Sequence, residues 1–360
     1  MIRNRNAMTT DQIRGHQTIL EMLDRALSRG RLPHALLFAG PVGVGKNRVA
    51  RYLAQCLFCE QTPSDQLSCC RECNSCKQMA AGTHPDLISI ECPPDKAILP
   101  LSLIIGSEER RGREGVCYEM SLRPMTGNRR IAVIDDADKM NAESANALLK
   151  TLEEPSANYL MILIASELDA ILPTIRSRCQ LIRFAELSAD DVSELLLEHQ
   201  LAESPEQAQQ VARLSGGSLD VASQLLDENL QELRTSITRL LCQHPFRPQA
   251  FSQAVIKAVD DIGGNTAAQR KTAHWILHFC ADFYHQALQT AAGHESAVNN
   301  AQIDKFVNGF PGSTEDRIEK LGSLLDRLLE TEEQIDRNAT ISLCIENLSE
   351  DLRALQKSTP

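Results

Sequence analysis

The sequence predicts an α/β protein, a parallel five-stranded sheet with helices on both faces, followed by an all-helical remainder. Three observations carry that expectation. Short, unbroken apolar runs at Ala35 to Ala39, Ile131 to Ile134 and Tyr159 to Ala165 have the character of strands buried on both faces. Segments with helical spacing alternate with them, among them Val49, Leu53 and Leu57, and later Ala145, Leu148, Leu149 and Leu152. Beyond Leu187 the strand signal ends and short helices take over. Alternation of this kind builds a parallel sheet that takes its ligand at the carboxyl edge.

Composition narrows the function classes. At 360 residues the chain exceeds one typical domain, so two or three units are expected, each with its own core. A net charge of −11 argues against a protein that coats nucleic acid unaided, because that binding rests on clustered Lys and Arg. Protein partners are expected instead. The longest apolar run, Tyr159 to Ala165, is far short of a bilayer span, and the first residues carry Arg3, Arg5 and Arg14 without an apolar stretch of signal-peptide length. The expectation is a soluble, cytoplasmic protein with no membrane partner.

Taken in order, residues 10 to 34 place Ile13, Ile19, Leu20, Leu23 and Leu27 at helical intervals and lead into the first strand. That strand breaks into Gly40, Gly43 and Gly45, and a helix opens over Asn47 to Leu57. This is a phosphate-binding loop. The glycines let the backbone turn its amides around a β-phosphate at a helix N-terminus, and Lys46 supplies the charge that reaches the β and γ oxygens. Asn47 departs from the pattern, which wants a Ser or Thr hydroxyl as a ligand of the nucleotide's magnesium. The motif admits ATP and Mg2+ as ligands and leaves turnover open.

Twelve cysteines follow an uneven distribution, with five of them between residues 59 and 76. Without an export signal, a metal site is expected rather than disulfides. Cys70, Cys73 and Cys76 form C-x2-C-x2-C and aim their thiolates at one centre, with Cys59 as the fourth ligand. Such a tetrahedron suits zinc and clips the polar stretch from Glu60 to Ser68. The spacing leaves Cys69 against Cys70, and Cys56 against Cys59, open.

Asp86 to Glu91 is expected as a second strand, and Glu108 to Glu114 as a solvated helix face rather than a nucleic-acid patch. The strand Ile131 to Ile134 delivers Asp135 and Asp136 at its carboxyl end, where a phosphate-loop fold needs carboxylates. Asp135 would hold magnesium through water, and Asp136 would orient or deprotonate the attacking water. Glu is commoner at the second position, and a displacement of roughly 1 Å there can cost on the order of 100-fold. Asn141 caps a helix that runs through Glu154 and stops at Pro155. Tyr159 to Ala165 ends at Ser166, either a γ-phosphate contact or a plain strand-end serine. Leu172 to Phe184 holds Ser177, Arg178 and Cys179 and a last buried strand, Gln180 to Phe184. Helices broken at Ser204-Pro205 and Ser215-Gly216-Gly217 make a small helical domain. A further helical region includes Trp275 to Leu288 and the leucines from Leu321 to Leu329, expected mainly as ordinary core. The predicted domains are residues 1–185, 186–232 and 235–360.

Several motifs combine into a resemblance. His34 to Phe38 with the phosphate loop, the four cysteines, Gly82-Thr83-His84-Pro85-Asp86, the run Ala145 to Pro155, and Ser177-Arg178-Cys179 resemble the bacterial clamp-loader family of DNA polymerase III. The likeness is close over about residues 12–220 and loose beyond, where Ile335 to Ala339 remains. It implies a AAA+ module with an inserted zinc knuckle, a helical lid and a C-terminal collar. It also implies assembly with gamma/tau motor subunits and delta into a ring that opens the sliding clamp and places it on primed DNA. In that family the arginine of Ser-Arg-Cys reaches across an interface to the γ-phosphate of a neighbouring subunit, a role that falls here to Arg178. Where motor subunits place a nucleotide-sensing Arg after Gly217-Ser218, this chain has Leu219-Asp220, and an acid there repels a triphosphate. Asn47, Asp136 and Asp220 weaken the same activity. The expectation is an assembly subunit that contributes Arg178 and hydrolyses ATP weakly or not at all; the alternative is a working motor or a related AAA+ switch.

Overall fold

The computed structural model describes residues 13–357 apart from 94–95, 127–128, 155–157, 262–265, 294–300, 311 and 338. The predicted helix stop at Pro155 and the family-like Asn338 lie outside the described residues, as do Arg3 and Arg5. Two compact units meet in sequence between Gln224 and Leu225.

The first unit runs α1 (Gln17–Ser28), β1 (Ala35–Ala39), α2 (Lys46–Phe58), α3 (Asn74–Ala81), β2 (Leu87–Ile90), α4 (Leu101–Ile105), α5 (Val116–Ser121) and β3 (Arg130–Ile134). It continues through α6 (Ala142–Glu153), β4 (Tyr159–Ala165), α7 (Pro173–Arg176), β5 (Gln180–Arg183), α8 (Ala189–Glu198), α9 (Pro205–Leu214) and α10 (Leu219–Leu225). The five strands form one parallel sheet in the order β2-β3-β4-β1-β5. The fold is therefore the α/β sheet that the apolar runs predict.

Strand alternation explains why those runs are unbroken. Leu36, Phe38, Val133, Leu160, Ile162 and Ile164 enter one core with Leu20, Leu23, Val49 and Leu53 of α1 and α2. Their neighbours Leu37, Ala132, Ile134, Met161 and Leu163 enter a second core with Ile104 of α4 and Leu148 and Leu152 of α6. Side chains of period two thus feed two cores, and no position is left for a polar residue. The outer strands differ from the expectation of five buried strands. β2 and β5 have a partner on one side only, and Ser89, Gln180 and Arg183 on them are exposed.

Two helical expectations are also corrected. The helix within residues 10–34 begins only at Gln17, after His16, whose ring is buried elsewhere. Glu108 to Glu114 forms no α-helix but a single 3-10 turn, Glu108–Arg110, because Gly112 at φ 73° folds the chain back. The Arg110–Glu114 pair, 2.6 Å apart, closes that turn. The Asn141 cap agrees with expectation, its side chain accepting from the Ser144 amide at 2.8 Å.

The second unit contains α11 (Glu228–Leu241), α12 (Pro248–Asp260), α13 (Thr266–Ala291), α14 (Ala301–Asn308), α15 (Thr314–Asp336) and α16 (Ile341–Lys357). Its core holds Phe283, Tyr284 and Phe306, with the rings of Phe283 and Phe306 edge-on at 4.8 Å. Leu321, Leu324 and Leu328 are buried as expected, whereas Leu329 is 58% exposed. No helix among the described residues is long and apolar enough to cross a membrane.

A partly exposed ion clip in this unit carries a pH prediction. His274 of α13 reaches Glu332 through Nδ1 at 3.2 Å and Asp336 through Nε2 at 3.1 Å, both on α15. Glu332 foremost, and Asp336 after burial's opposing effect, raise the His274 imidazole above its ordinary 6.5, and His274 in turn lowers the Glu332 carboxyl. The histidine's contribution is complete below its unfolded value and is lost as pH rises through the raised folded value. The Glu332 contribution is lost as pH falls through its lowered value. His274→Gln should lower the melting temperature by a few degrees near pH 6, corresponding to about 1 kcal/mol for partly exposed pairs. The difference should shrink toward zero by about pH 9, as calorimetry across that range would show.

Candidate nucleotide site and metal centre

β1 delivers the phosphate loop at the carboxyl edge, between β4 and β5. The Gly40 amide continues the ladder to Ala165 O at 3.2 Å, and the loop then turns into α2. Lys46 lies at the start of α2, only 6% exposed, and its Nζ donates to the carbonyls of Gly40 and Pro41 at 2.5 and 2.6 Å. Burial pushes its pKa down, against Asp135, Asp138, Asp136 and Asp220, which favour the charge. Beneath the loop, His16 Nε2 lies 2.7 Å from Val44 O, with Phe184 edge-on to the ring at 4.8 Å. A carbonyl only accepts, so Nε2 carries the proton. Burial lowers this imidazole's pKa and keeps it neutral. Nothing in the local pattern distinguishes His16 as a support for the loop.

The helical segment after α9 packs directly on the loop. Leu219 N donates to Gly43 O at 3.1 Å, and a Cβ placed on Gly43 would stand 2.1 Å from Ser218 Oγ. Glycine at residue 43, with φ 75°, therefore serves the turn and admits this close approach. Lys46, Asn47, Asp135, Ser166 and Asp220 share one cavity of about 1080 Å³, in the range of small-molecule clefts.

Within it Asp135, Asp136 and Asp138 are already engaged. Asn47 Nδ2 donates to Asp135 Oδ2 at 2.6 Å; an ionised carboxylate only accepts, so the amide nitrogen must face it. Burial raises the Asp135 carboxyl, opposed by the bonds from Asn47 and the Asp136 amide. Asp136 adopts φ 55° and pairs with Lys139 at 3.0 Å. Asp138, unremarked by the spacing argument, accepts the amides of Ser166 and Glu167, each at 3.0 Å, and fixes the β4 tip.

Arg178 is not brought to this cavity. It follows α7, donates to Thr174 O at 3.0 Å and pairs with Glu153 at the end of α6 at 2.5 Å, with its side chain 36% exposed. The site residues at 40 to 47, 135, 136 and 166 thus form one group, and Arg178 stands apart from it.

The cysteines form a second centre. The ligand sulfurs of Cys59, Cys70, Cys73 and Cys76 all lie within 4.8 Å of one another. Tetrahedral zinc with Zn–S bonds of about 2.3 Å sets sulfurs about 3.8 Å apart, so the four fit such an ion. Cys69 lies outside this set and hydrogen-bonds Cys56, so the fold gathers Cys59 and Cys70 rather than Cys56 and Cys69. Amides of Cys70, Cys73 and Cys76 donate to the sulfurs of Cys59, Cys70 and Cys73 at 3.3, 3.3 and 3.4 Å. Burial opposes ionisation of Cys59, but the Thr62 hydroxyl and surrounding amides outweigh it and bring the thiol down to about 6. Tyr52 of α2 anchors the insertion by donating to Leu67 O at 3.0 Å.

A family profile described as DNA polymerase III, delta subunit, matches residues 15–188. Over that span, just under half of its 360 residues, the chain is similar to that family. The matched span contains the phosphate loop, the four cysteines, the Asp135-Asp136 pair and Arg178. Among relatives, DNA polymerase III subunit delta' of Pseudomonas aeruginosa is 33% identical over 210 residues, 58% of this chain and 60% of that one. The tau subunit of Salmonella typhimurium is 32% identical over 222 residues, 59% of this chain and 32% of that one. The chain thus spans less than two thirds of either relative's length. A solved structure described as a gamma subunit-related protein from Thermotoga maritima aligns over 94% of this chain and 99% of its own, at 17% identity and a TM-score of 0.40.

Proposed function

We propose that the chain is a delta prime-type subunit of the DNA polymerase III clamp loader. In this reading it assembles with gamma/tau motor subunits and delta, and helps load the sliding clamp onto primed DNA in the cytoplasm. It supplies Arg178 in trans and contributes little or no ATP hydrolysis of its own. The observation that carries the reading is the Asn47–Asp135 hydrogen bond at 2.6 Å, at the two positions from which a working phosphate loop holds magnesium. An amide nitrogen there is a donor and offers no lone pair to a cation. Asp136 is drawn to Lys139 rather than left to act on water, and Asp220 adds negative charge to the cavity. The matching family supports the assignment, while the comparable likeness to tau keeps the motor as the competing reading.

Three parts follow from it: a AAA+ module over residues 1–185 with a structural zinc knuckle at 59–76, a lid over 186–232, and a collar over 235–360. The loop amides and Lys46 remain suited to the phosphates of ATP, with Ser166 at the neighbouring strand tip. Arg178, exposed and outside its own chain's cavity, is suited to a phosphate held by a neighbour.

Assembly is tested by mixing the purified chain with the matching gamma/tau and delta subunits. Co-elution as one species and loading of the clamp onto primed DNA support the proposal; failure to co-elute contradicts it. Nucleotide binding is tested separately by fluorescent ATP titration with magnesium or with EDTA. Affinities within about twofold of each other are expected, and Lys46→Ala should weaken both by about tenfold or more. A large gain with magnesium would favour the motor.

A further inference from the structure

Part of the cavity is walled by α2 residues that the nucleotide argument does not use. Arg48, Arg51 and Gln55 line it from positions i, i+3 and i+7, one face of the helix. Two of their buried donors, Arg48 Nε and Gln55 Nε2, lack acceptors among the described residues. Gln55 is 4% exposed, and its buried Nε2 has no partner among the described residues. Arg48 gives Nη1 to His199 Nε2 at 3.1 Å, yet its buried Nε is likewise unpaired. Arg51 places Nη2 beside Gly82 at the end of α3, 3.9 Å from where a Cβ there would stand, and forms no ion pair among the described residues. Unpaired buried N–H groups are rare and costly, and the two left at Arg48 Nε and Gln55 Nε2, with the Arg51 guanidinium on the same helix face, call for an anion.

We propose that Arg48, Arg51 and Gln55 form a second anion subsite, separate from the phosphate loop, that takes a phosphate group. Two guanidinium groups offer the planar forks that match phosphate oxygens, and the Gln55 amide adds a neutral donor. The subsite extends away from the loop, since Arg48, Arg51 and Gln55 lie two, five and nine residues beyond Lys46, roughly 3, 7 and 13 Å along the helix axis. Of the cavity's acids, Glu91, Asp135, Asp136, Asp138 and Glu167 gather near the ends of β2, β3 and β4, where Asp135 N donates to Ile90 O at 2.9 Å, and Asp220 stands on α10 beside the loop. Like-charge repulsion from that side directs an anion toward the α2 face. The occupant is either free orthophosphate or a phosphate of a nucleotide beyond those that the loop holds. The inference stands on this wall's geometry and not on the clamp-loader reading.

Binding of inorganic phosphate to the full-length chain, followed by calorimetry at constant ionic strength, tests it. A dissociation constant on the order of 1 mM is expected. Arg51→Gln, alone or with Gln55→Leu, should weaken it by about tenfold or more, and should do so equally in a Lys46→Ala background, where the phosphate loop no longer competes for the ion. Arg51 is partly exposed, so its single variant keeps the test valid even where the Gln55 change disturbs packing. A nucleoside 3′,5′-bisphosphate that binds about tenfold tighter than the 5′-monophosphate, with the gain lost in Arg51→Gln, assigns the subsite to a nucleotide. Equal affinities alongside Arg51-dependent phosphate binding assign it to the free ion. Phosphate binding that disappears in Lys46→Ala and persists in Arg51→Gln overturns the proposal, as does an absence of binding up to roughly 20 mM.

Discussion

Arg178→Ala, placed in a reconstituted clamp loader, should cut hydrolysis at the single nucleotide site that Arg178 faces by about 10³-fold or more. A guanidinium donated in trans neutralises charge that develops on the transferring phosphoryl group, and in the free subunit it faces no such group. The variant should therefore fold and assemble normally. Its local partners, Thr174 O and Glu153, sit at an exposed surface, where such a pair contributes about 1 kcal/mol or less. Clamp- and DNA-stimulated turnover of the whole complex falls, while sites completed by other subunits continue. Arg178→Lys should rescue poorly, because an ammonium cannot reproduce the planar fork. Steady-state ATP turnover and clamp loading at matched concentrations read the effect. Equal rates for wild type and Arg178→Ala would leave Arg178 as a surface residue that holds Glu153.

The second large effect concerns the cysteine centre. One zinc per chain is expected by elemental analysis, and Cys73→Ser should retain less than about a tenth of it, because a structural tetrahedral site does not survive loss of a thiolate. Serine is the informative replacement. Cys73 Sγ also caps α3 by accepting the Cys76 amide at 3.4 Å, and a serine oxygen keeps that cap while giving up the metal. Residues 59–76 should then lose hydrogen-exchange protection, while β1, β3 and β4, buried throughout, keep theirs. Metal-free chain with an unchanged exchange pattern would refute the knuckle.

What the sequence reveals here is what is local. β1 and β4 occupy the predicted residues, because a run buried on both faces is written into each strand separately. The phosphate loop and the C-x2-C-x2-C group are equally compact in sequence. Edge exposure was not legible, since which strand lies outermost depends on the order of all five. The choice of Cys70 over Cys69 depends on how the insertion folds back on α2, and spacing alone does not contain that. His16 supports Val44 across 28 residues, and Asn47 meets Asp135 across 88, pairings that no window of the chain displays. The departure at Asn47 was visible as a missing hydroxyl; its bond to Asp135 was not.

The phosphate loop of this chain is proposed not to turn over ATP, the chain acting through its neighbours. The most direct test is magnesium-dependent ATP hydrolysis by the purified chain alone and after mixing with gamma/tau and delta subunits. Background turnover is expected for the isolated chain, unchanged by Lys46→Ala, with a rise on mixing that depends on Arg178. Robust hydrolysis by the isolated chain, abolished by Lys46→Ala, would contradict it.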